Sequence, residues 1–111
     1  MDSGIYYVIF KSHTGSFGDG LVVVDDGKVH GGDQRYLYRG FYKADGQAIE
    51  ADIQVSYYRG EPKSVFGHLP KFSLNLSGSA TNDAFTVSGR VFGQSHLVIT
   101  IEGQKQANLV Q

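Results

Sequence analysis

The feature of this sequence that most constrains its fold is the repeated alternation of apolar and polar side chains. The clearest case runs from Ala48 to Tyr58, where every second residue is apolar: Ile49, Ala51, Ile53, Val55 and Tyr57. Successive side chains of a β-strand point to opposite faces, so this pattern predicts a strand with one face on a core and one in water. About eight segments are predicted as strands, and those at 72–77, 85–91 and 97–102 alternate in the same way.

The segments between the predicted strands carry the residues that tight turns favour. Asp26-Gly27, Asp45-Gly46 and Asn82-Asp83 each lie between two extended segments, which predicts consecutive hairpins. No stretch repeats apolar residues at helical spacing over ten or more positions, and the one long irregular segment, 60–70, holds both prolines. The fifteen glycines, seven tyrosines and seven phenylalanines also favour strands and turns over helices, so the predicted class is all-β.

Eight antiparallel strands in a flat sheet would expose two edges, and closing the sheet removes both. We therefore predict a small up-and-down antiparallel β-barrel of about eight strands. The domain is predicted to span 1–103, with 104–111 as a polar C-terminal tail. The predicted interior residues are Ile5, Tyr7, Ile9, Val22, Val24, Tyr36, Tyr38, Tyr42, Ile49, Ile53, Val55, Phe72, Leu74, Phe85, Val87, Leu97, Ile99 and Ile101.

Charge and cysteine content exclude several classes of function. Ten Lys and Arg residues stand against eleven Asp and Glu residues, without a block of like charge, so we expect no direct nucleic-acid partner. The absence of cysteine excludes disulfides, thiolate nucleophiles and thiolate metal sites, and it fits a reducing cytoplasm. No apolar run approaches the roughly 20 residues of a membrane helix, and the start lacks a basic signal region. We expect a cytoplasmic protein that makes no membrane contact.

Catalytic and metal-binding patterns are not found in the sequence. His13, His30, His68 and His96 are far apart and have no carboxylate at ligand spacing, so no metal site is predicted. Ser95 adjoins His96, but neighbours on a strand point to opposite faces and do not form a nucleophile–base pair. We expect a protein that is not an enzyme and needs no cofactor.

A tyrosine-rich segment is the candidate ligand site. Tyr36, Tyr38 and Tyr42 fall on one strand face, and Gly40 leaves a gap between them that would fit an aromatic or acyl group. The alternative is that Gly40 accommodates a large neighbour across the sheet. Both interpretations stay open at the level of sequence.

A second candidate surface lies on the first two predicted strands. Residues 5–11 and 21–24 are apolar on both faces, so each strand is expected to be covered on its outer side as well. The covering surface would be a partner subunit or another protein, and the predicted outward residues are Tyr6, Val8, Phe10, Leu21 and Val23.

Several short segments, in order, resemble the GrlR family of negative regulators of type III secretion. They are Asp2-Ser3-Gly4-Ile5-Tyr6, Gly18-Asp19-Gly20-Leu21-Val22-Val23, Lys28-Val29-His30-Gly31-Gly32-Asp33 with Tyr36, Tyr38 and Gly40, and Ser64-Val65-Phe66-Gly67. The resemblance extends from residue 2 to about residue 101.

The resemblance implies a small lipocalin-like barrel that forms a homodimer. It also implies a regulator that binds a transcriptional activator protein, keeps it from DNA and catalyses nothing. The family's best-known member engages the activator through an acidic loop, and the corresponding turn here is Lys43-Ala44-Asp45-Gly46-Gln47, which carries a single acid. Lys43, Asp45 and Gly46 are thus the candidate partner loop. The alternative function is the binding of a small apolar ligand inside the barrel.

Overall fold

A computed structural model describes residues 1–67 and 69–110, so His68 and the last residue of the predicted tail, Gln111, lie outside the described residues. The strands are β1 (Gly4–Ser12), β2 (Phe17–Asp25), β3 (Lys28–Gly32), β4 (Tyr36–Asp45), β5 (Ala48–Tyr57), β6 (Lys71–Ala80), β7 (Ala84–Val91) and β8 (Gln94–Ala107). Within the described residues there is no helix, and the predicted all-β class is confirmed. Accordingly, no helix of this part of the chain could span a membrane.

Each strand pairs antiparallel with the next one along the chain, and β8 pairs antiparallel with β1. The sheet therefore closes on itself, which confirms the predicted up-and-down barrel of eight strands. The turn between β2 and β3 shows why hairpins were predictable. Asp26 and Gly27 have φ values of 49° and 78°, and a two-residue turn of this kind needs positive φ at both positions.

The core fills the inward face of the barrel, and the facing predicted for β1 is wrong. Tyr6 and Val8 are 0% and 3% exposed, whereas Tyr7 and Ile9 are 37% and 42% exposed. All predicted interior residues on the other strands belong to the core or pack against it. Because β1 is apolar on both faces, its sequence pattern does not indicate which face points into the barrel. The pairing register with β2 sets the inward face, since Tyr6 lies opposite the inward Val22.

One end of the barrel, here the turn end, is closed by short connections at 26–27, 46–47 and 81–83 and by the N-terminal residues. The backbone N–H of Asp2 donates to the Asn82 carbonyl at 2.8 Å, and the Tyr6 hydroxyl donates to the Asp2 carbonyl at 2.6 Å. Met1 packs against the core at the same end. These contacts hold the N-terminal residues across the turn end.

The opposite end, here the loop end, carries the connections 13–16, 33–35, 58–70 and 92–93. The longest of them folds over the barrel, since Val65, Phe66 and Leu69 are half-buried against the core. Tyr36 anchors it by donating its hydroxyl to the Leu69 carbonyl at 2.8 Å. The irregular segment noted in the sequence is therefore part of the barrel's covering.

β8 continues past the predicted domain boundary at 103. Lys105 lies opposite Tyr6 and Ala107 opposite Ile5, so four residues of the segment predicted as a tail belong to the sheet. A strand can be polar and still be held, because its backbone hydrogen bonds to β1 do not depend on its side chains.

Candidate ligand cavity inside the barrel

The inside of the barrel is not filled by side chains. It holds a cavity of about 610 Å³, within the range of small-molecule sites in proteins. Most of the wall is aliphatic or aromatic, including Val22, Ile49, Ile53, Leu74 and Phe85. A cavity of this kind can take an apolar molecule about the size of a small drug.

Glycines on the inward face help to keep the cavity open. A Cβ placed on Gly18 would lie 2.2 Å from a ring carbon of Phe10, and one on Gly103 would lie 2.2 Å from a ring carbon of Phe85. Each ring belongs to the residue directly opposite its glycine on the neighbouring strand. The rings thus lie over glycine backbone along the wall, an arrangement that stabilises sheets at glycines and leaves the centre free.

The structure brings together three of the four predicted ligand-site residues. Tyr36, Tyr38 and Tyr42 line the cavity, but Gly40 does not. A Cβ at Gly40 would lie 2.0 Å from the carbonyl oxygen of Asp52 on β5. The glycine is therefore required by a close backbone approach between β4 and β5, and neither a ligand gap nor a large neighbouring side chain explains it.

Two of the cavity tyrosines have hydroxyls that are already bonded. Tyr38 donates its hydroxyl to Oδ2 of Asp33, and Tyr36 donates to the Leu69 carbonyl. Oδ1 of Asp33 in turn accepts from the backbone N–H groups of Arg35 at 2.8 Å and Tyr36 at 2.7 Å. An aspartate that holds its own turn in this way is typical of the residue at loop starts. Asp33 thus fixes both the β3–β4 loop and the Tyr38 ring.

Burial keeps the interior phenols in their neutral form. Burial, followed by the hydrogen bond to Asp33, raises the pKa of Tyr38 far above its ordinary value. Burial, followed by the charge of Asp2, raises the pKa of Tyr6 to about 12. Burial likewise raises the pKa of Tyr36. These hydroxyls remain protonated donors and do not serve as bases near neutral pH.

Tyr42 differs from the other interior tyrosines. It is half-buried and lines the cavity, and its hydroxyl makes no hydrogen bond to any residue in the described ranges. No polar side-chain atom in these ranges is both sealed from solvent and unbonded, so this hydroxyl remains reachable. It is the free polar group of the deeper cavity.

The cavity opens at the loop end, where its exposed lining residues lie. β2 pairs with β3 only from Leu21 onward, so Phe17–Gly20 extends past the end of β3. The wall there is completed by the β3–β4 loop and the β5–β6 connection, which contribute Gln34 and Lys63 to the lining. The exposed lining residues Phe17, Gln34 and Lys63 mark this opening, here the mouth.

The predicted interface residues are divided between the two sides of the barrel. Tyr6, Val8 and Phe10 face inward, so their predicted outward facing is wrong, while Leu21 and Val23 face outward as predicted. The outward apolar residues form what we name the outer strip: Tyr7, Ile9, Leu21, Val23 and Leu37. Tyr7 lies directly opposite Leu21, and Leu37 lies opposite Gly32, which itself lies opposite Leu21. The strip is therefore continuous across β1, β2, β3 and β4.

The predicted partner loop is the hairpin between β4 and β5. Lys43, Asp45 and Gly46 are all exposed there, and Gly46 has a φ of 62°. The hairpin lies at the turn end, whereas the mouth lies at the loop end. Any contact that this loop makes is thus separate from ligand entry.

Neither a search for metal ligands nor a comparison with known proteins adds a further site. Among residues 1–67 and 69–110, no three histidine or carboxylate side chains converge as metal ligands would. No protein-family model matches the sequence, and no curated protein matches it. The cavity and the outer strip are therefore the features from which a function can be argued.

Proposed function

We propose that this protein is a non-enzymatic binding protein that holds one small, mostly apolar molecule inside its barrel. The observation that carries the proposal is the cavity of about 610 Å³, which has apolar walls and a mouth at the loop end. Burying about 200 Å² of apolar ligand surface contributes about 5 kcal/mol before the entropic cost of binding. Hydrophobic burial is thus sufficient to retain such a ligand.

The polar groups around the cavity support binding rather than catalysis. Catalysis needs a nucleophile or a base that is free to exchange protons with a bound substrate. Here Asp33 has both carboxylate oxygens in hydrogen bonds, and Tyr36 and Tyr38 are neutral donors with fixed acceptors. Their role in this proposal is to hold the wall and the mouth in shape.

A fluorescent reporter for apolar sites tests the proposal directly. N-phenyl-1-naphthylamine, which is neutral and brightens in apolar surroundings, is titrated into the protein, and saturable binding of one molecule per chain is expected. Ile53 lines the cavity, so Ile53→Trp fills part of it and should weaken binding by at least tenfold. Gln54→Trp adds the same ring to the exposed side of β5 and should leave binding unchanged. Unsaturable binding, or equal loss in both variants, would overturn the proposal.

A second candidate function is regulatory, and the outer strip favours it. We propose, as this alternative, a GrlR-like cytoplasmic regulator in which a second copy of the chain covers the outer strip. The strip presents apolar side chains on adjacent strands, with Tyr7 and Leu21 37% and 52% exposed. Contiguous exposed apolar surface marks association sites, and a two-fold dimer uses the same patch twice. In this alternative the dimer binds a transcriptional activator, as the family resemblance implies.

Sedimentation analysis from 1 to 100 µM protein tests the regulatory candidate. The expected result is a dimer that Leu21→Lys converts to a monomer, because each subunit would place a lysine charge in the apolar contact. Phe92→Lys is the matched control, since Phe92 is 75% exposed but lies in the β7–β8 turn, outside the strip. A monomer at every concentration, or a dimer indifferent to Leu21→Lys, would remove the strip as the interface.

A further inference from the structure

The hydrogen-bonding groups of the barrel interior define which ligands the cavity can satisfy. Four inward polar side chains are already bonded within the protein. Tyr6, Tyr36 and Tyr38 donate to the Asp2 carbonyl, the Leu69 carbonyl and the Asp33 carboxylate, and Ser12 shares a 2.7 Å hydrogen bond with Thr14. The three tyrosine hydroxyls therefore have no proton left to donate to a ligand.

Tyr42 is the exception, and its position is deep in the cavity. The Tyr42 backbone N–H donates to the Gly27 carbonyl at 2.9 Å, which places this part of β4 at the turn end. The mouth is at the other end, so a ligand that enters there reaches Tyr42 with its leading end.

The charged side chains of the cavity lie at the opposite end from Tyr42. The charged lining residues Asp19, Asp33, Arg35 and Lys63 all belong to the loop end. Among the described lining residues, none with a charged side chain lies at the turn end. A charged group brought to Tyr42 would lose its hydration without gaining a charged side chain as its counter-ion, which is unfavourable. A neutral leading end is therefore favoured.

We propose that the cavity selects a hydrocarbon-bodied molecule whose inner end carries one neutral hydroxyl or carbonyl group, hydrogen-bonded to the Tyr42 hydroxyl. This inference rests on the proposed ligand-binding function and adds a polarity pattern to it. The ligand body lies against a mostly apolar wall, and its polar atom meets the Tyr42 hydroxyl at the turn end. A phenolic hydroxyl can both donate and accept, so it suits either an alcohol or a carbonyl compound.

A two-by-two comparison of ligands and variants tests this assignment. Naphthalene and 2-naphthol differ by one hydroxyl, and each displaces N-phenyl-1-naphthylamine from the unmodified protein and from Tyr42→Phe. Removing the Tyr42 hydroxyl should raise the dissociation constant of 2-naphthol about fivefold relative to that of naphthalene, as expected for the loss of one net hydrogen bond. Tyr36→Phe is the matched control and should leave the ratio unchanged, because the Tyr36 hydroxyl is committed to Leu69.

The outcomes separate this inference from the function on which it rests. If neither compound displaces the reporter, the ligand-binding function fails and the inference fails with it. If both displace it with the same ratio in Tyr42→Phe as in the unmodified protein, binding stands and the role of Tyr42 is overturned. If the ratio shifts in Tyr36→Phe and not in Tyr42→Phe, the ligand hydroxyl contacts Tyr36 and the assignment to Tyr42 is overturned. A nuclear Overhauser effect between bound 2-naphthol and the Tyr42 ring is expected in the unmodified protein, and its absence at saturation would also overturn the assignment.

Discussion

The two faces of β1 carry nearly the same side chains and meet opposite surroundings. Tyr6 is fully buried and donates its hydroxyl to a backbone carbonyl, whereas Tyr7 is 37% exposed and donates to the Asp19 carboxylate at 2.7 Å. Val8 belongs to the cavity wall, and Ile9 belongs to the outer strip. The difference teaches that the residue type does not decide facing on such a strand. The register with its neighbours does.

The same comparison divides the two candidate functions. The inward face of β1 helps to build the cavity that would hold a ligand, and the outward face helps to build the strip that would hold a second subunit. The two surfaces are separated by one layer of backbone. Substitutions at adjacent positions can therefore test the two functions independently.

The largest expected effect comes from placing a charge on each face in turn. Val8 is 3% exposed on the cavity side, so Val8→Glu is expected to lower the free energy of unfolding by about 3 kcal/mol or more. Ile9→Glu, one residue along and 42% exposed, should cost less than about 1 kcal/mol. Urea unfolding followed by circular dichroism measures both values. Equal costs, or the reverse order, would contradict the facing of β1.

A smaller effect is expected where an inward glycine supports an aromatic ring. A methyl group at Gly18 would displace the Phe10 ring toward the cavity, so Gly18→Ala should cost about 1–3 kcal/mol and weaken binding of the fluorescent reporter. Asp52→Ala is the control outside the cavity, which loses only an exposed hydrogen bond from Asn75 and should cost less than about 1 kcal/mol. Unchanged reporter binding in Gly18→Ala would show that the ring position does not shape the cavity.

The pH dependence of stability should report the contribution of the buried Tyr6 hydroxyl. The pKa of Tyr6 is raised from 10.0 to about 12, so the folded state holds its proton where the unfolded state loses it. The Tyr6 contribution is complete below pH 10 and is lost as the pH rises from 10 toward 12. Urea midpoints at pH 8, 9, 10 and 11 should fall above pH 10 in the unmodified protein. The fall should be shallower in Tyr6→Phe, and an equal slope would contradict this origin.

The smallest effect on stability is expected on the outer strip. Leu21 is 52% exposed, so Leu21→Lys should change the free energy of unfolding of the single chain by no more than about 0.5 kcal/mol. Measurement at a protein concentration where sedimentation shows only monomer isolates the single chain from any dimer. A loss above about 2 kcal/mol would place Leu21 in the fold rather than on an association surface.

Much of the architecture was predictable because strand alternation and turn residues are local signals. The predicted turn at 26–27 connects β2 to β3, and the turn predicted at 45–46 lies one residue further on, at 46–47 between β4 and β5. The clustering of Tyr36, Tyr38 and Tyr42 on the cavity wall follows from their period-two spacing. These features depend only on residues close together in the sequence, so they can be predicted without knowledge of long-range contacts.

Other features depend on residues that are distant in the sequence. Position 40 requires glycine because the Asp52 carbonyl on the next strand approaches it closely. The Tyr36 hydroxyl donates its hydrogen bond to the Leu69 carbonyl, which is distant in the sequence. That the Tyr42 hydroxyl has no hydrogen-bond partner among residues 1–67 and 69–110 is evident only when all its neighbours are in place. No signal in a single strand reports a close backbone approach or the absence of an acceptor.

The sequence by itself determined the class, the approximate number of strands and the hairpin order, because a period of two and the chemistry of tight turns act over a few residues. Tertiary structure alone decided which face of β1 is inside, that β8 runs on to Ala107, and that the interior stays open rather than filled. The physical reason is that facing and cavity volume are set by pairing register and by rings lying over glycines on neighbouring strands. These relations exist only once the barrel has closed.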